Sequence, residues 1–199
     1  PDLIVLPGTK STISDLIWLR EGGLEAAVKK AAAAGTLIFG ICGGYQILGK
    51  TWLLGDEEVP GLGIVDIETK RPGTSADRLI DNIALSSALA AHPVVGYENH
   101  AGRTYLGPGL RPFGKVVSST GRGNNDDDGA DGVIYKKLVG TYLHGPLLSK
   151  NPEVADWLLR AACDRWAART GCDAPELAPL DDAPELAAND EMARRLGAR

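Results

Sequence analysis

Residues 36–48, TLIFGICGGYQIL, constrain the fold more than any other part of the chain. An apolar, partly β-branched run stops at Cys42, with Gly40 before it and Gly43 and Gly44 after it, and a helix-compatible segment follows. A strand that turns at once into a helix at a nucleophile is an elbow, a strained turn that small neighbours permit. A thiol at that point meets unpaired backbone N–H groups and the positive end of the helix dipole. Both favour thiolate, and such placement brings a cysteine pKa from about 8.5 into the range of about 3.5–7.5. The alternative is a structural cysteine buried at a strand end, a common position for free cysteine.

The flanks set the fold class. Residues 2–6 (DLIVL) read as a buried strand, and Pro7-Gly8-Thr9-Lys10 as the turn after it. Helices are expected over 15–20, behind the cap candidates Ser11, Thr12 and Ser14, and over 24–34, ended by Gly35. A further helix is expected from about Tyr45 to Lys50. This strand–helix alternation predicts an α/β fold with a doubly wound, mostly parallel sheet. Functional groups in such sheets collect at the carboxyl ends of strands, where Gly8 and Cys42 both lie. From residue 56 onward short strands over 59–69, 79–85, 94–97 and 114–118 follow without long helices between them, which predicts an antiparallel extension. A helix over 153–169 closes a domain of residues 1–170. The tail, 171–199, is rich in Ala, Pro, Asp and Glu and is expected to be partly helical or partner-docking.

Bulk properties exclude some classes. The net charge of −5, with no basic cluster, argues against nucleic acid or an anionic membrane as the main partner. No apolar run approaches the roughly 20 residues that span a bilayer, so no direct membrane insertion is expected. The 44% hydrophobic content suffices for a core. Cys42, Cys163 and Cys172 show no CxxC spacing, so neither a disulfide framework nor a metal site is expected, and a reducing cytoplasm is the natural compartment. Pro1 is not a natural start, so an N-terminal segment is expected to be missing.

A second strand end carries the chemical partner. The run GTYLHGP over 140–146 delivers His144 outward, with Gly145 leaving space around the ring. A thiol attacking an amide carbonyl needs a base for its proton, and His144 fits that role; a lone histidine more often only hydrogen-bonds in a loop. Backbone N–H groups near Gly43 and Gly8 are candidates for an oxyanion hole. Asn124, Asp126, Asp128 and Gly129 match the opening of an EF-hand loop, but the twelfth position is Tyr135, so a solvated acidic loop is expected.

With residues 40–49 and 140–145 the chain resembles class I glutamine amidotransferases of the CobB/CobQ type, the cobyric acid synthase group. The resemblance implies the flavodoxin-like amidotransferase fold and hydrolysis of L-glutamine by Cys42 and His144, with ammonia passed to a synthetase. Most class I members place a glutamate two residues after the histidine; here that position is Pro146, as in the cobyric acid synthase branch. Another group orients His144, or the site works as a dyad. Residues 2–20 resemble cobyric acid synthase. Residues 78–82, 96–106, 123–126, 140–152 and 155–159, with 180–182 and 192–193 in the tail, resemble GatD, the glutaminase subunit of lipid II isoglutaminyl synthase, and this second resemblance covers more of the chain.

The GatD resemblance implies no cofactor in this chain, with ATP and Mg in a MurT-like Mur-ligase subunit of a heterodimer. That partner amidates D-glutamate of lipid II to D-isoglutamine in peptidoglycan synthesis, so the joint substrate is lipid-linked. It also implies Arg78 as the residue that holds the glutamine α-carboxylate; on spacing alone a surface arginine is an equal reading. Glu98, Asn99 and His100 then line or brace the pocket, Glu98 and His100 sharing one face of a strand. Tyr45 and Gln46 shape the pocket or simply pack. The alternatives are the amidotransferase domain of a cobyric acid synthase, working in cobalamin biosynthesis, and an inactive amidotransferase-like scaffold.

Overall fold

A computed structural model describes residues 1–71 and 78–199 of the chain. Its first half runs β1 (Leu3–Leu6), α1 (Thr12–Glu21), α2 (Leu24–Ala33), β2 (Leu37–Ile41), α3 (Gly43–Ile47), β3 (Thr51–Leu54), β4 (Glu57–Pro60) and β5 (Ile67–Arg71). Then follow β6 (Leu79–Ser87), β7 (Val94–His100), β8 (Arg103–Leu106), β9 (Gly114–Val116), β10 (Ala130–Asp131), β11 (Val133–Tyr135) and β12 (Leu138–Thr141). Three helices end the chain: α4 (Leu147–Lys150), α5 (Pro152–Thr170) and α6 (Ala183–Arg195).

The fold is the expected mixed α/β class. One sheet has the order β1-β2-β12-β11, in which β1, β2 and β12 are parallel and β11 returns antiparallel. Side chains alternate across β2, as a strand buried on both faces requires. Ile38 packs with Leu16 of α1 and Val28 of α2, whereas Leu37 and Phe39 pack with Val154 and Leu158 of α5. Helices therefore cover both faces of the parallel strands.

The antiparallel strands form two further sheets, β10-β9-β6-β7 and β4-β3-β5-β8. In the second, only β3 and β5 pair in parallel. The expected helix to Lys50 ends at Ile47, because β3 begins at Thr51 and pairs with β4 and β5. β-Branched and aromatic residues in Thr51-Trp52-Leu53-Leu54 favour a strand there. The tail helix α6 lies on the sheet through Ala193 and Leu196, which pack on Ala84 and Val95. Asn189 of this helix donates to Pro93 O, Lys150 O and Asn151 Oδ1, so buried polar groups tie the tail to the body.

Candidate active site

Cys42 stands immediately after β2 with φ 48° and ψ −107°, a conformation that L-residues avoid. Holding a side chain there costs about 1–3 kcal/mol, supplied by the surrounding packing. The glycines make the turn possible. A Cβ on Gly44 would lie 2.0 Å from the Leu6 carbonyl oxygen, so α3 rests on β1 with no room for a methyl group. Gly44→Ala is expected to destabilise the fold by at least about 3 kcal/mol despite alanine's better helix propensity, as read by urea unfolding. A change below about 1 kcal/mol would mean that α3 can move away from β1.

The parallel pairing of β2 with β12 brings the two chemical groups together. Thr141 lies beside Ile41 in the register, and the Cys42 N–H donates to the Thr141 carbonyl at 2.8 Å. Three residues on, the His144 N–H donates to Tyr97 O of β7 at 2.7 Å. Gly8, past the end of β1, sits between them: a Cβ there would be 3.3 Å from His144 Cε1 and 3.5 Å from Cys42 Cβ. Three strand ends thus meet at one point, where a parallel sheet gathers its ligands.

Electrostatics at this point differ from the expectation of a thiolate. Burial pushes the Cys42 thiol up to about 11, against the lowering effects of the Gly43 N–H and the Arg78 charge; Asp131 adds to the rise. The helix end does favour thiolate, but Cys42 is only 8% exposed and desolvation outweighs it. His144 moves the other way, its pKa lowered by burial and then by the Arg78 guanidinium. In the resting site both partners are therefore neutral at pH 7. His144 Nε2 is buried and makes no hydrogen bond among the described residues.

Gly8, Cys42 and His144 open onto a cleft of about 860 Å³, within the size range of small-molecule sites. Gln46, Asn99, His100 and Arg78 also line it. The Arg78 guanidinium is held by Asn99, through Oδ1 at 2.6 and 3.1 Å and the carbonyl oxygen at 3.0 Å. His100 and Glu98 do share a strand face, with His100 Nε2 4.0 Å from Glu98 Oε2. His100 Nδ1 donates to Gly102 O at 2.7 Å, and the ring stacks on Tyr142 at 3.5 Å. Burial pushes its pKa down to about 3, so the ring stays neutral and anchored. Glu98 is buried behind it and accepts from the Arg122 and Gly123 N–H groups.

Tyr45 is fully buried, its ring edge-on to Tyr142 and its hydroxyl donating to Asn124 Oδ1 at 3.1 Å; Tyr45, Gly43 and Glu98 are not among the residues lining the cleft. Gln46 donates from Nε2 to the Tyr142 hydroxyl at 3.0 Å. Several lining residues carry no sequence signal for a site. Trp52 and Leu54 come from β3 and Arg71 from β5, and only the sheet pairing brings them to the cleft. The loop from Arg122 to Asp131 is not solvated throughout: Asp126, Asp127 and Asp128 are exposed, while Asn124, Asn125 and Asp131 are buried. Among the described residues no group of three or more His, Cys, Asp or Glu side chains is placed to hold a metal ion.

The backbone shares its fold with a crystal structure of a glutamine amidotransferase, at a TM-score of 0.61 and 24% identity over 81% of this chain and 79% of that one. PurLQS from Thermotoga maritima is similar at a TM-score of 0.52 and 15% identity, covering 79% and 80% of the two chains. These likenesses place the fold in the glutamine amidotransferase class. Residues 1–152 match the CobB/CobQ-like glutamine amidotransferase domain, and the chain belongs to that family. Cobyric acid synthase of Pelotomaculum thermopropionicum is 45% identical over 159 residues, 73% of this chain and 30% of that protein. The GatD subunit of lipid II isoglutaminyl synthase (glutamine-hydrolyzing) from Staphylococcus aureus is 44% identical over 144 residues, 71% of this chain and 56% of that subunit. The chain thus spans about a third of one relative and rather more than half of the other. No helix among the described residues is long and apolar enough to cross a membrane.

Proposed function

We propose that the cleft hydrolyses L-glutamine to glutamate and ammonia through Cys42 and His144. The observation that carries this reading is the strained Cys42 at the end of β2, with His144 beyond the adjoining end of β12 and bare Gly8 between them. Cys42 Sγ attacks the side-chain amide carbon while His144 takes the thiol proton. The Gly8 N–H, on the cleft wall, and the Gly43 N–H, which lies behind the wall but reaches the Cys42 sulfur, steady the oxyanion. Collapse breaks the C–N bond, ammonia leaves with the proton from His144, and a γ-glutamyl thioester remains. Water, deprotonated by His144, then releases glutamate and restores the thiol. Burial keeps the free pair neutral, so the thiol proton still has to pass to His144 during the reaction.

Arg78 holds the substrate α-carboxylate, a planar fork steadied by Asn99. Arg78→Lys is expected to raise KM for glutamine about tenfold and leave kcat within about twofold in steady-state assays. An unchanged KM would return Arg78 to the surface.

The ammonia serves a separate synthetase that supplies ATP and Mg chemistry. We take that partner to be a MurT-like ligase in a cytoplasmic heterodimer, amidating D-glutamate of lipid II to D-isoglutamine for peptidoglycan. The GatD relative, matched over 56% of its length, supports this choice. The 45% identity to a cobyric acid synthase favours a second reading, an amidotransferase domain serving corrinoid amidation. A glutamine-analogue electrophile should label the wild-type protein and spare Cys42→Ser; absence of labelling on folded protein rejects the glutaminase in favour of a scaffold. Co-purification with a Mur-ligase-like chain supports the lipid II role, and fusion to a synthetase domain overturns it.

A further inference from the structure

Asp131 is fully buried, and nothing in the reaction above uses it. It ends β10, where it pairs with Gly114 in a different sheet from Cys42 and His144. Its two carboxyl oxygens nevertheless reach the segment that carries His144. Oδ2 accepts the Thr141 hydroxyl, and Oδ1 accepts the Tyr142 N–H at 3.2 Å. The Thr141 hydroxyl oxygen in turn accepts the Leu143 N–H at 3.1 Å. The Thr141 carbonyl accepts the Cys42 N–H. Three consecutive residues before His144, and the backbone of the nucleophile, are thus tied to one carboxylate.

Burying a carboxylate is costly unless its hydrogen bonds return something specific. Here they fix a short segment that leaves β12 and has no helix or strand ladder of its own until α4 begins at Leu147. Asp131 itself is held from behind. The following Gly132 donates its N–H to Asn124 Oδ1 at 2.8 Å, and Asn124 Nδ2 donates back to Gly132 O at 3.0 Å.

We infer that Asp131 is a positioning residue for the Cys42–His144 pair, a latch that works when its carboxylate accepts both the Thr141 hydroxyl and the Tyr142 N–H. This inference rests on the glutaminase reading for its kinetic consequences, and on the hydrogen-bond chain from Asp131 through Thr141 to Cys42 together with the carboxylate charge for its effect on the thiol.

The latch is sensitive to protonation. A protonated Asp131 presents an O–H where the Thr141 hydroxyl needs an acceptor, so one of the two donors facing each other loses its partner. Burial lifts the Asp131 carboxyl to about 7, and the charges of Glu98 on β7 and Asp128 in the preceding loop push the same way; the Thr141 and Tyr142 hydrogen bonds oppose them. Cys42, Tyr45 and Tyr142 are the other titratable groups that feel this charge, and all three are driven toward their protonated forms. Around neutral pH the latch therefore closes as pH rises, and the same negative charge holds the thiol protonated.

The test compares Asp131→Asn, Thr141→Val and Thr141→Ser with the wild type. Asp131→Asn is expected to lower kcat about 10–100-fold, with KM within about threefold, and to remove the step near pH 7 from the pH profile of kcat. Thr141→Val should lower kcat similarly and also lose that step, because the hydroxyl that the carboxylate must accept is gone, and Thr141→Ser should restore wild-type turnover. Independently of turnover, the pH dependence of Cys42 alkylation by iodoacetamide should move to lower pH in Asp131→Asn, since a negative charge beside the thiol is gone.

Wild-type kcat with an unshifted alkylation profile in folded Asp131→Asn would overturn the latch. So would equal impairment in Thr141→Ser and Thr141→Val, and this comparison decides the matter if Asp131→Asn does not fold. If the wild type turns over no glutamine, the glutaminase reading fails, and the alkylation shift alone decides for or against Asp131.

Discussion

Cys42→Ala is expected to reduce glutamine hydrolysis on the order of 10⁶-fold, the scale reached when the nucleophile of a coupled pair is removed. The same position carries a second consequence, on stability. Replacing Cys42 by alanine leaves a Cβ in the φ 48° conformation, whereas glycine occupies it freely. At an ordinary buried position alanine would be favoured by about 1.5 kcal/mol, from the buried methyl group and the lower entropy of the unfolded chain. At Cys42 the strain of about 1–3 kcal/mol acts against alanine. Cys42→Gly should therefore range from about 0.5 kcal/mol less stable to about 1.5 kcal/mol more stable than Cys42→Ala in urea unfolding, while both are inactive. A glycine variant less stable by about 1.5 kcal/mol would show that the elbow stores no strain.

This pairing of strain with reactivity explains why the elbow could be read from residues alone. A β-branched apolar run, a cysteine and flanking glycines are local signals, and the strand–turn–helix they imply depends on steric contacts within a few residues. His144 was legible for a similar reason, since an apolar strand ending in His-Gly points the ring beyond a sheet edge. Parallel alternation in residues 2–41 also announced the doubly wound part of the fold.

What stayed hidden depends on partners far apart in the chain. β3 pairs with β4 and β5, and β5 with β8, so Trp52, Leu54 and Arg71 reach the cleft through register that no local pattern records. Asp131 lies in an acidic loop whose composition suggests solvent, yet sheet pairing with Gly114 carries it inside. The thiol expectation failed for the same reason. Desolvation is set by everything packed around Cys42, and the helix end is only the nearest neighbour.

The neutral resting pair leads to the pH behaviour of His144. A general base must be unprotonated, so kcat/KM should rise with pH through the His144 pKa and level off only after the Asp131 step. Burial and the Arg78 charge lower that pKa, which places the rising limb below the ordinary histidine value of about 6.5, on the acid side of the Asp131 step. With the thiol near 11 in the free protein, no alkaline loss follows through neutral pH. Arg78→Met removes one cause of the lowering, so the limb should shift toward higher pH even as KM rises. His144→Asn should reduce kcat by about 10²–10⁴-fold and remove the limb. The decisive contrast is Cys42 alkylation. A neutral pair gives rates that keep climbing with pH through neutrality, because thiolate is scarce until the solution approaches the thiol pKa. A rate plateau already reached near pH 6 would instead signal a preformed thiolate–imidazolium pair, in which case Arg78 and the Gly43 N–H outweigh the burial of Cys42.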